Sequence, residues 1–305
     1  MGWLKAKRLC SFTGMPYAGN PAWVILGAEG LTDEMMAKLA GELNPISDAA
    51  FVMPEDSDVA DIRIRFFSSG GEILTSGHAT VAVYFALEGE GIIQFKEPEC
   101  EVRQKSKGGI QYIELRVEQG RVRRVTMKLP LPRYIEIDYN PQLLARMLGL
   151  TPAEISASGL RPEAVSTGMY DLVVPAPSLN HLVDLKPDFE LMSRFCTRVG
   201  ITGIQVFALE TNENSTASVR HFAPAIGIDE DPVSGAACGA LACYLIKNGI
   251  IKPEDFNRLI IEQGYALGRP GKVYVHIRMY RGGISEVKVG GQAVTTFVGS
   301  ILIPD

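Results

Sequence analysis

The sequence has 305 residues, 46% of them hydrophobic, and a formal net charge of −5 at pH 7. This length predicts about two domains, and the acidic balance argues against nucleic acid or an anionic membrane as the main partner. No apolar run reaches the ~18 residues of a membrane-spanning helix, and the N-terminus lacks the apolar stretch of a secretory signal, so we expect a cytoplasmic protein without membrane association.

The first half begins with strands and an amphipathic helix. The pair Gly19 and Asn20 predicts a turn before a strand at 23–26. Thr32 is the predicted N-cap of a helix whose apolar face carries Met35, Leu39 and Leu43. Strands are expected next at 48–54 and at 58–70, where apolar residues alternate with arginines.

A second helix is predicted to open at Gly77, followed by strands at 110–120 and 121–130. A cluster of prolines around 130–141 marks the expected linker. The second half then repeats the order, with a helix opening at Gly235 before its last strands. We therefore predict an N-terminal domain over residues 1–130, joined by a terminal strand at 293–305, and a C-terminal domain over 131–292.

The two Ser-Gly helix openings indicate an internal repeat. Aligning Gly77 with Gly235 places Ser76 on Ser234 and superposes small apolar residues on both faces of the two helices. A helix that is apolar all round is buried all round. The sequence therefore predicts an α+β fold of two pseudo-repeated domains, each an antiparallel sheet curled around a central helix.

Such buried helices begin with N–H groups that lack partners within the helix, and they carry partial positive charge. If both helix openings face one cleft between the domains, they suit a small-molecule substrate that carries a carboxylate. Glycine at each opening allows a ligand to approach closely.

Several stretches of the chain resemble the PhzF family of phenazine-biosynthesis isomerase-like proteins, which has a diaminopimelate epimerase-like fold. The matching stretches include "FTGMPYAGNPAWVIL", "RIRFFSSGGEILTSGHATVAVYFAL" and "VRHFAPAIGIDEDPVSGAACGALACYL". With the shorter matches "SDAAF", "EQG" and "VGGQAV", the resemblance runs from residue 12 to about 294. It implies an isomerase of a biosynthetic process that works by proton transfer without a cofactor, between two domains, and often as a homodimer.

The resemblance also implies the site residues. Asp48 stands where the family carries its acid/base glutamate, and His78 and Asp231 complete the predicted catalytic set. The predicted substrate-binding residues share the glycine-rich stretches that carry the resemblance. They are Asn20, Ser76, Gly77, Ser234, Gly235 and Ala236.

Each assignment has a structural alternative. Asp48 also fits a turn residue, His78 a capping or core histidine, and Asp231 an acidic flank favourable to the helix dipole. His221, which precedes the second opening, is a further candidate for lining the cleft. The aspartate in place of glutamate, together with Ala236 in place of a hydroxyl residue, leaves open a member that binds its ligand with little or no turnover.

An amino-acid racemase is the third alternative. The thiol-dependent epimerases of this fold carry cysteines where this chain has Ser76 and Ser234, and a serine hydroxyl is too weak an acid for two-base racemisation. The five cysteines are scattered and read as reduced thiols. No stretch matches a metal site, a phosphate loop or a dinucleotide fingerprint, so we expect no metal and no cofactor.

Overall fold

The structure is a computed structural model that describes residues 2–43, 48–55, 57–68 and 70–303. The chain divides into two compact units, one formed by Met1–Lys128 with Gly290–Asp305 and the other by Leu129–Val289. The predicted α+β class is confirmed. Among the described residues, no helix combines the length and the apolar composition that crossing a bilayer requires.

The described part of the first unit has the helices α1 (Asp33–Leu43) and α2 (Gly77–Ala86). Its strands are β1 (Gly2–Ser11), β2 (Asn20–Leu26), β3 (Ala49–Met53), β4 (Ile62–Ser68), β5 (Gly71–Ile73), β6 (Glu99–Ser106), β7 (Gly109–Glu118), β8 (Arg121–Leu129) and the C-terminal β18 (Ala293–Ile303). Strand β1 pairs antiparallel with both β2 and β18, which brings the two ends of the chain into one sheet.

The second unit contains the helices α3 (Pro141–Leu148), α4 (Pro152–Ser156), α5 (Leu179–Val183), α6 (Phe189–Val199) and α7 (Gly235–Lys247). Its strands are β9 (Arg133–Ile135), β10 (Glu163–Ser166), β11 (Tyr170–Pro175), β12 (Gly203–Ala208), β13 (Ala217–Ala223), β14 (Ile228–Asp231), β15 (Phe256–Gln263), β16 (Gly271–Tyr280) and β17 (Gly283–Gly291). Short 3-10 turns lie at Pro224–Ile226 and Tyr265–Leu267.

The sheets are mixed rather than purely antiparallel. In the first unit β2 runs parallel to β3 and β4 parallel to β6, while in the second unit β11 runs parallel to β12 and β13 parallel to β15. Parallel neighbours need a crossover connection, usually a helix. Helices α1, α2, α5 with α6, and α7 lie in these four connections, so the order of strand pairings is itself repeated in the two units.

The two central helices follow the prediction from their composition. Helix α2 buries seven of its ten residues and packs against β1, β2, β3 and β18. Helix α7 is buried over nearly its whole length and packs against β10, β11 and β16. Helix α1 differs in detail, because its most buried residues are Met36 and Ala40, with Met35, Leu39 and Leu43 only partly covered.

The repeat extends to individual side chains. Arg65 donates from Nε and Nη2 to the two carboxylate oxygens of Glu72, at 2.8 and 2.9 Å, and its guanidinium lies 5.1 Å from the ring centre of Phe67. In the second unit Arg220 forms the same paired hydrogen bonds with Glu230, at 2.9 and 2.8 Å, and lies 5.1 Å from the ring of Phe222. This match fixes the alignment of β4 with β13.

Candidate functional site

The N-terminus of α2 gathers most of the first-unit residues predicted from the sequence. Ser76 is the N-cap, and its hydroxyl accepts a hydrogen bond from the N–H of Ala79 at 3.4 Å. Gly77 and His78 are therefore the first two residues of the helix. The first N–H groups of an α-helix have no partner within the helix, and the Ser76 side chain accepts from that of Ala79. The N–H groups of the first turn that it does not cap suit an anion.

Asp48 and His78 face each other beside this helix end. The carboxylate oxygen Oδ2 of Asp48 lies 3.8 Å from Nε2 of His78, and the two side chains are 18% and 16% exposed. At this distance they attract each other by charge when the histidine is protonated but do not share a hydrogen bond. Both groups keep access to solvent, so both can meet a small molecule.

Asn20 belongs to the same neighbourhood through Ser11. In the β1–β2 ladder Asn20 lies opposite Ser11, and the Ser11 hydroxyl donates to the carbonyl oxygen of His78 at 2.7 Å. Gly19 has a positive φ of 57°, and a Cβ there would lie 2.2 Å from the Ser11 carbonyl oxygen. The turn thus requires glycine, which places the buried Asn20 against the strand that supports His78.

The N-terminus of α7 is built in the same way. Ser234 is its N-cap and accepts from the N–H of Ala237 at 3.3 Å, and Gly235 and Ala236 form the first turn. The Ala236 carbonyl accepts a hydrogen bond from the Thr167 hydroxyl at 2.9 Å. Both serines that stand in the place of the epimerase cysteines therefore act as helix caps.

Gln263 holds the segment that leads into α7. Its side-chain oxygen accepts from the N–H of Ser234 at 3.0 Å, and its amide nitrogen donates to the carbonyl of Asp231 at 2.7 Å. Gln263 lies in the stretch "EQG", which is too short to assign the glutamine a role from the sequence. The available signal was a pair of polar residues, Glu262 and Gln263, directly after the apolar stretch Leu259–Ile261, at the buried end of the strand.

Asp231 lies beside His221, in a buried cluster that the sequence analysis did not predict. Its Oδ2 lies 3.7 Å from Nδ1 of His221, and the other ring nitrogen of His221 lies 3.1 Å from Oδ1 of Asp171. Gln205, opposite His221 in the β12–β13 ladder, is fully buried, and its amide has no hydrogen-bond partner among the described residues. Polar residues within the apolar strands β11, β12 and β13 were the available signal.

The two neighbouring carboxylates determine the pKa of His221. Burial by itself would lower the pKa of His221, but the charge of Asp171 and its hydrogen bond, together with Asp231, raise that pKa to about 10. The thiol of Cys238, in the first turns of α7, has its pKa raised by burial and by the charge of Asp231, as expected of a packing residue. The described residues contain no group of three or more histidine, cysteine or acidic side chains placed to hold a metal ion.

Comparisons with known proteins agree with the resemblance found in the sequence. The family model of phenazine biosynthesis-like proteins, PhzC-PhzF, matches residues 9–299. An uncharacterized isomerase of Clostridium acetobutylicum is 32% identical over 298 residues, which cover 96% of each chain. An uncharacterized isomerase of Deinococcus radiodurans is also 32% identical, over 93% of this chain and 90% of the relative.

Solved structures give the same family and the wider fold. The PhzF family phenazine biosynthesis protein of Bacillus anthracis has a TM-score of 0.89 and 29% identity, over 99% of this chain and 100% of the other. A hydroxyproline epimerase from Agrobacterium vitis, at 13% identity, shares the fold with a TM-score of 0.65 over 98% and 91% of the two chains. On the extent of the family match and the curated relatives, the chain belongs to the PhzC/PhzF phenazine biosynthesis-like family.

Proposed function

We propose that this protein is a cofactor-independent isomerase that moves a proton within a small carboxylate-bearing substrate. The observation that carries the proposal is the Asp48–His78 pair, 3.8 Å apart and partly exposed at the N-terminus of α2. Several curated relatives of the chain are named isomerases. A positioned carboxylate that can take a proton from one carbon and return it to another atom is the group that such a reaction needs.

The proposed substrate contacts follow from the two helix ends. The substrate carboxylate binds at the first turns of α2 and α7, at Gly77 and Gly235 with Ala236, where backbone N–H groups and the helix dipoles favour negative charge. Ser76 and Ser234 cap the helices and keep those turns in place. Asn20, His78 and Asp231 orient the substrate, in a cleft that we propose lies between the two units.

Asp48 is the proposed acid/base. Aspartate keeps the carboxyl group of the family glutamate but shortens its reach by one methylene, and a displacement of about 1 Å costs on the order of 100-fold in rate. The proposal therefore assigns this chain a substrate that brings its reacting carbon closer to β3 than a glutamate would require. The homodimer and the cytoplasmic location remain predictions of the sequence.

Deuterium incorporation tests the proposal. The full chain is incubated in heavy water with a dihydro-hydroxyanthranilate, the substrate that the resemblance to phenazine-biosynthesis isomerases implies, or with trans-4-hydroxy-L-proline, the ligand bound by the epimerase of the same fold. Carbon-bound deuterium is then measured by mass spectrometry. We expect exchange with at least one probe, a loss of 100-fold or more in Asp48→Asn, and residual exchange in Asp48→Glu, which keeps the acid. Asp33→Asn, at an exposed residue of the same unit, is the matched control.

The test also separates the alternatives. Binding of a probe in calorimetry without any exchange would favour the ligand-binding protein without turnover. Inversion of trans-4-hydroxy-L-proline at its α-carbon, with exchange retained in Asp48→Asn, would favour a racemase. Equal exchange in the wild type and in Asp48→Asn would refute the role assigned to Asp48.

A further inference from the structure

Three equivalent buried positions are apolar in the first unit and polar in the second. In the first unit, Phe67 pairs with Ala49 and Ala49 with Trp23 across neighbouring strands. The second unit has the same pairings for Phe222, Ile204 and Leu172, so these residues are equivalent in that order. At the positions next to these in the chain, the first unit has three fully buried apolar residues, Ala22, Ala50 and Phe66. The corresponding residues of the second unit are Asp171, Gln205 and His221, which are 2%, 0% and 2% exposed.

These three polar side chains lie on the sheet face that meets α7. Side chains two residues apart on a strand share a face, so Gln205 lies on the same face as Phe207. The ring of Phe207 packs edge-on against Tyr244 of α7, with ring centres 5.7 Å apart. The opposite face, with Phe222, belongs to the apolar cluster under α3 and α6. The cluster thus lies between the sheet and the helix whose N-terminus the proposed function uses.

The geometry determines the charge of His221. Two carboxylates flank its two ring nitrogens, at 3.1 Å for Asp171 and 3.7 Å for Asp231. A neutral ring with its proton towards Asp171 would turn the Nδ1 lone pair towards Asp231. Both the buried Asp171 carboxylate and the partly exposed Asp231 carboxylate would then lack a positive partner. A protonated ring gives each carboxylate a positive partner, which a buried charge requires.

Other groups around the cluster do not supply that charge. Gln205 and Gln263 are neutral, and the thiols of Cys196 and Cys238 have pKa values raised by burial and by the charges of Asp171 and Asp231, respectively. The cation on the neighbouring position of β13, Arg220, is occupied by Glu230 through two hydrogen bonds. The direct 3.1 Å contact between His221 and Asp171 also leaves no room for an ion between them.

We propose that His221 is a positioning residue, a buried imidazolium anchored by Asp171 that holds the Asp231 carboxylate in place ahead of α7. Asp231 is the only member of the triad with appreciable exposure, 18% of its side chain against 3% for each of the other two. It is therefore the end of the triad that can meet a ligand, and the substrate group it fits is a hydrogen-bond donor such as an amine or hydroxyl. That last step rests on the proposed function, while the charge of His221 does not.

Nitrogen NMR of the full-length protein tests the inference without a substrate. The chain has four histidines, so the imidazole signals are assigned by replacing each in turn with glutamine. We expect His221 to carry protons on both ring nitrogens at pH 8, where a histidine with the ordinary pKa near 6.5 is neutral. A neutral His221 at pH 8 would overturn the inference.

The link to Asp231 is tested by a matched pair of variants. Asp231→Asn removes the second carboxylate and should lower the titration midpoint of His221 by about one pH unit or more, since a charge at this range shifts a pKa by that order. Asp229→Asn, at an exposed residue of the same strand, should leave the midpoint unchanged. An unchanged midpoint in Asp231→Asn would refute the positioning role. Absence of deuterium exchange with every probe would count against the proposed function only.

Discussion

Replacing His221 and Asp171 by the residues of the first unit is the most informative perturbation of the fold. His221→Phe alone leaves the Asp171 carboxylate buried without its 3.1 Å partner, and removing one member of a buried ion pair costs about 3–5 kcal/mol. Asp171→Ala alone likewise leaves His221 with a single, more distant carboxylate. The double variant instead recreates the Ala22 and Phe66 arrangement, which the first unit accommodates with both residues fully buried.

We therefore expect strong coupling between the two changes. An apolar replacement of a buried ion pair is often neutral or stabilising, and the Asp231 carboxylate that loses His221 keeps access to water, since its side chain is 18% exposed. The double variant should therefore lie within about 1 kcal/mol of the wild type or above it. The two single variants should each fall well below it. If each single variant loses about 3–5 kcal/mol and the double variant stays near the wild type, the cycle should give a non-additivity of about 5–10 kcal/mol. This is larger than the roughly 0.5–3 kcal/mol that is usual for residues in contact.

Urea denaturation followed by two probes measures the cycle. Both tryptophans, Trp3 and Trp23, lie in the first unit, so fluorescence reports on that unit, while far-UV circular dichroism reports on both. The single variants should lower the midpoint of the circular dichroism transition, and the double variant should restore it. Additive losses in the double variant would refute the reasoning that the cluster is a paired charge in an otherwise apolar position.

The pH dependence has a defined sign. The pKa of His221 is raised on folding, so the stabilisation from its charge is fully present below pH ~6.5 and is lost as the pH rises towards the folded value of about 10. Wild-type stability should therefore decline between these limits more steeply than that of the double variant, which has no group titrating there at this position. Parallel pH profiles for the two proteins would contradict the assignment.

Three further predictions follow from single contacts. Gln263→Leu removes both hydrogen bonds that hold the segment before α7, and should cost about 1–3 kcal/mol in urea denaturation and speed amide exchange at Ser234. Gly264→Ala should prevent soluble expression or lower the melting temperature strongly, because φ is +89° and a Cβ would lie 2.2 Å from the Arg269 carbonyl oxygen. Gly268 also has a positive φ but open space around it, so Gly268→Ala should lower the free energy of unfolding by only about 1 kcal/mol. Cys100 should be the single thiol that reacts quickly with a disulfide reagent in the native protein, since the other four cysteines are buried, and all five should react in denaturant.

The sequence was sufficient for the features that depend on composition and local pattern. The two small-residue helices, their serine caps and their glycine openings all follow from residues adjacent in the chain, and the structure places α2 and α7 at those positions. The parallel strand pairings were not predictable in this way, because they depend on which strands become neighbours after a helical crossover. The cluster around His221 has the same origin, since Asp171, Gln205 and Asp231 come from three different strands.

The two units share a scaffold and differ in the polar groups that it carries. Both units have a capped central helix, and both have an arginine that pairs with a glutamate and lies over a phenylalanine two residues later in the chain, Arg65 in one and Arg220 in the other. Equivalent contacts therefore maintain the scaffold of each unit. The polar groups differ. Asp48 and His78 lie partly exposed beside α2, whereas Asp231, ahead of α7, lies 3.7 Å from the buried ring of His221. In the proposed function, Asp48 is the acid/base with access to the substrate, and Asp231 is the carboxylate that orients it. The buried polar cluster occurs in only one of the two equivalent positions, so the two units place different polar groups beside their central helices.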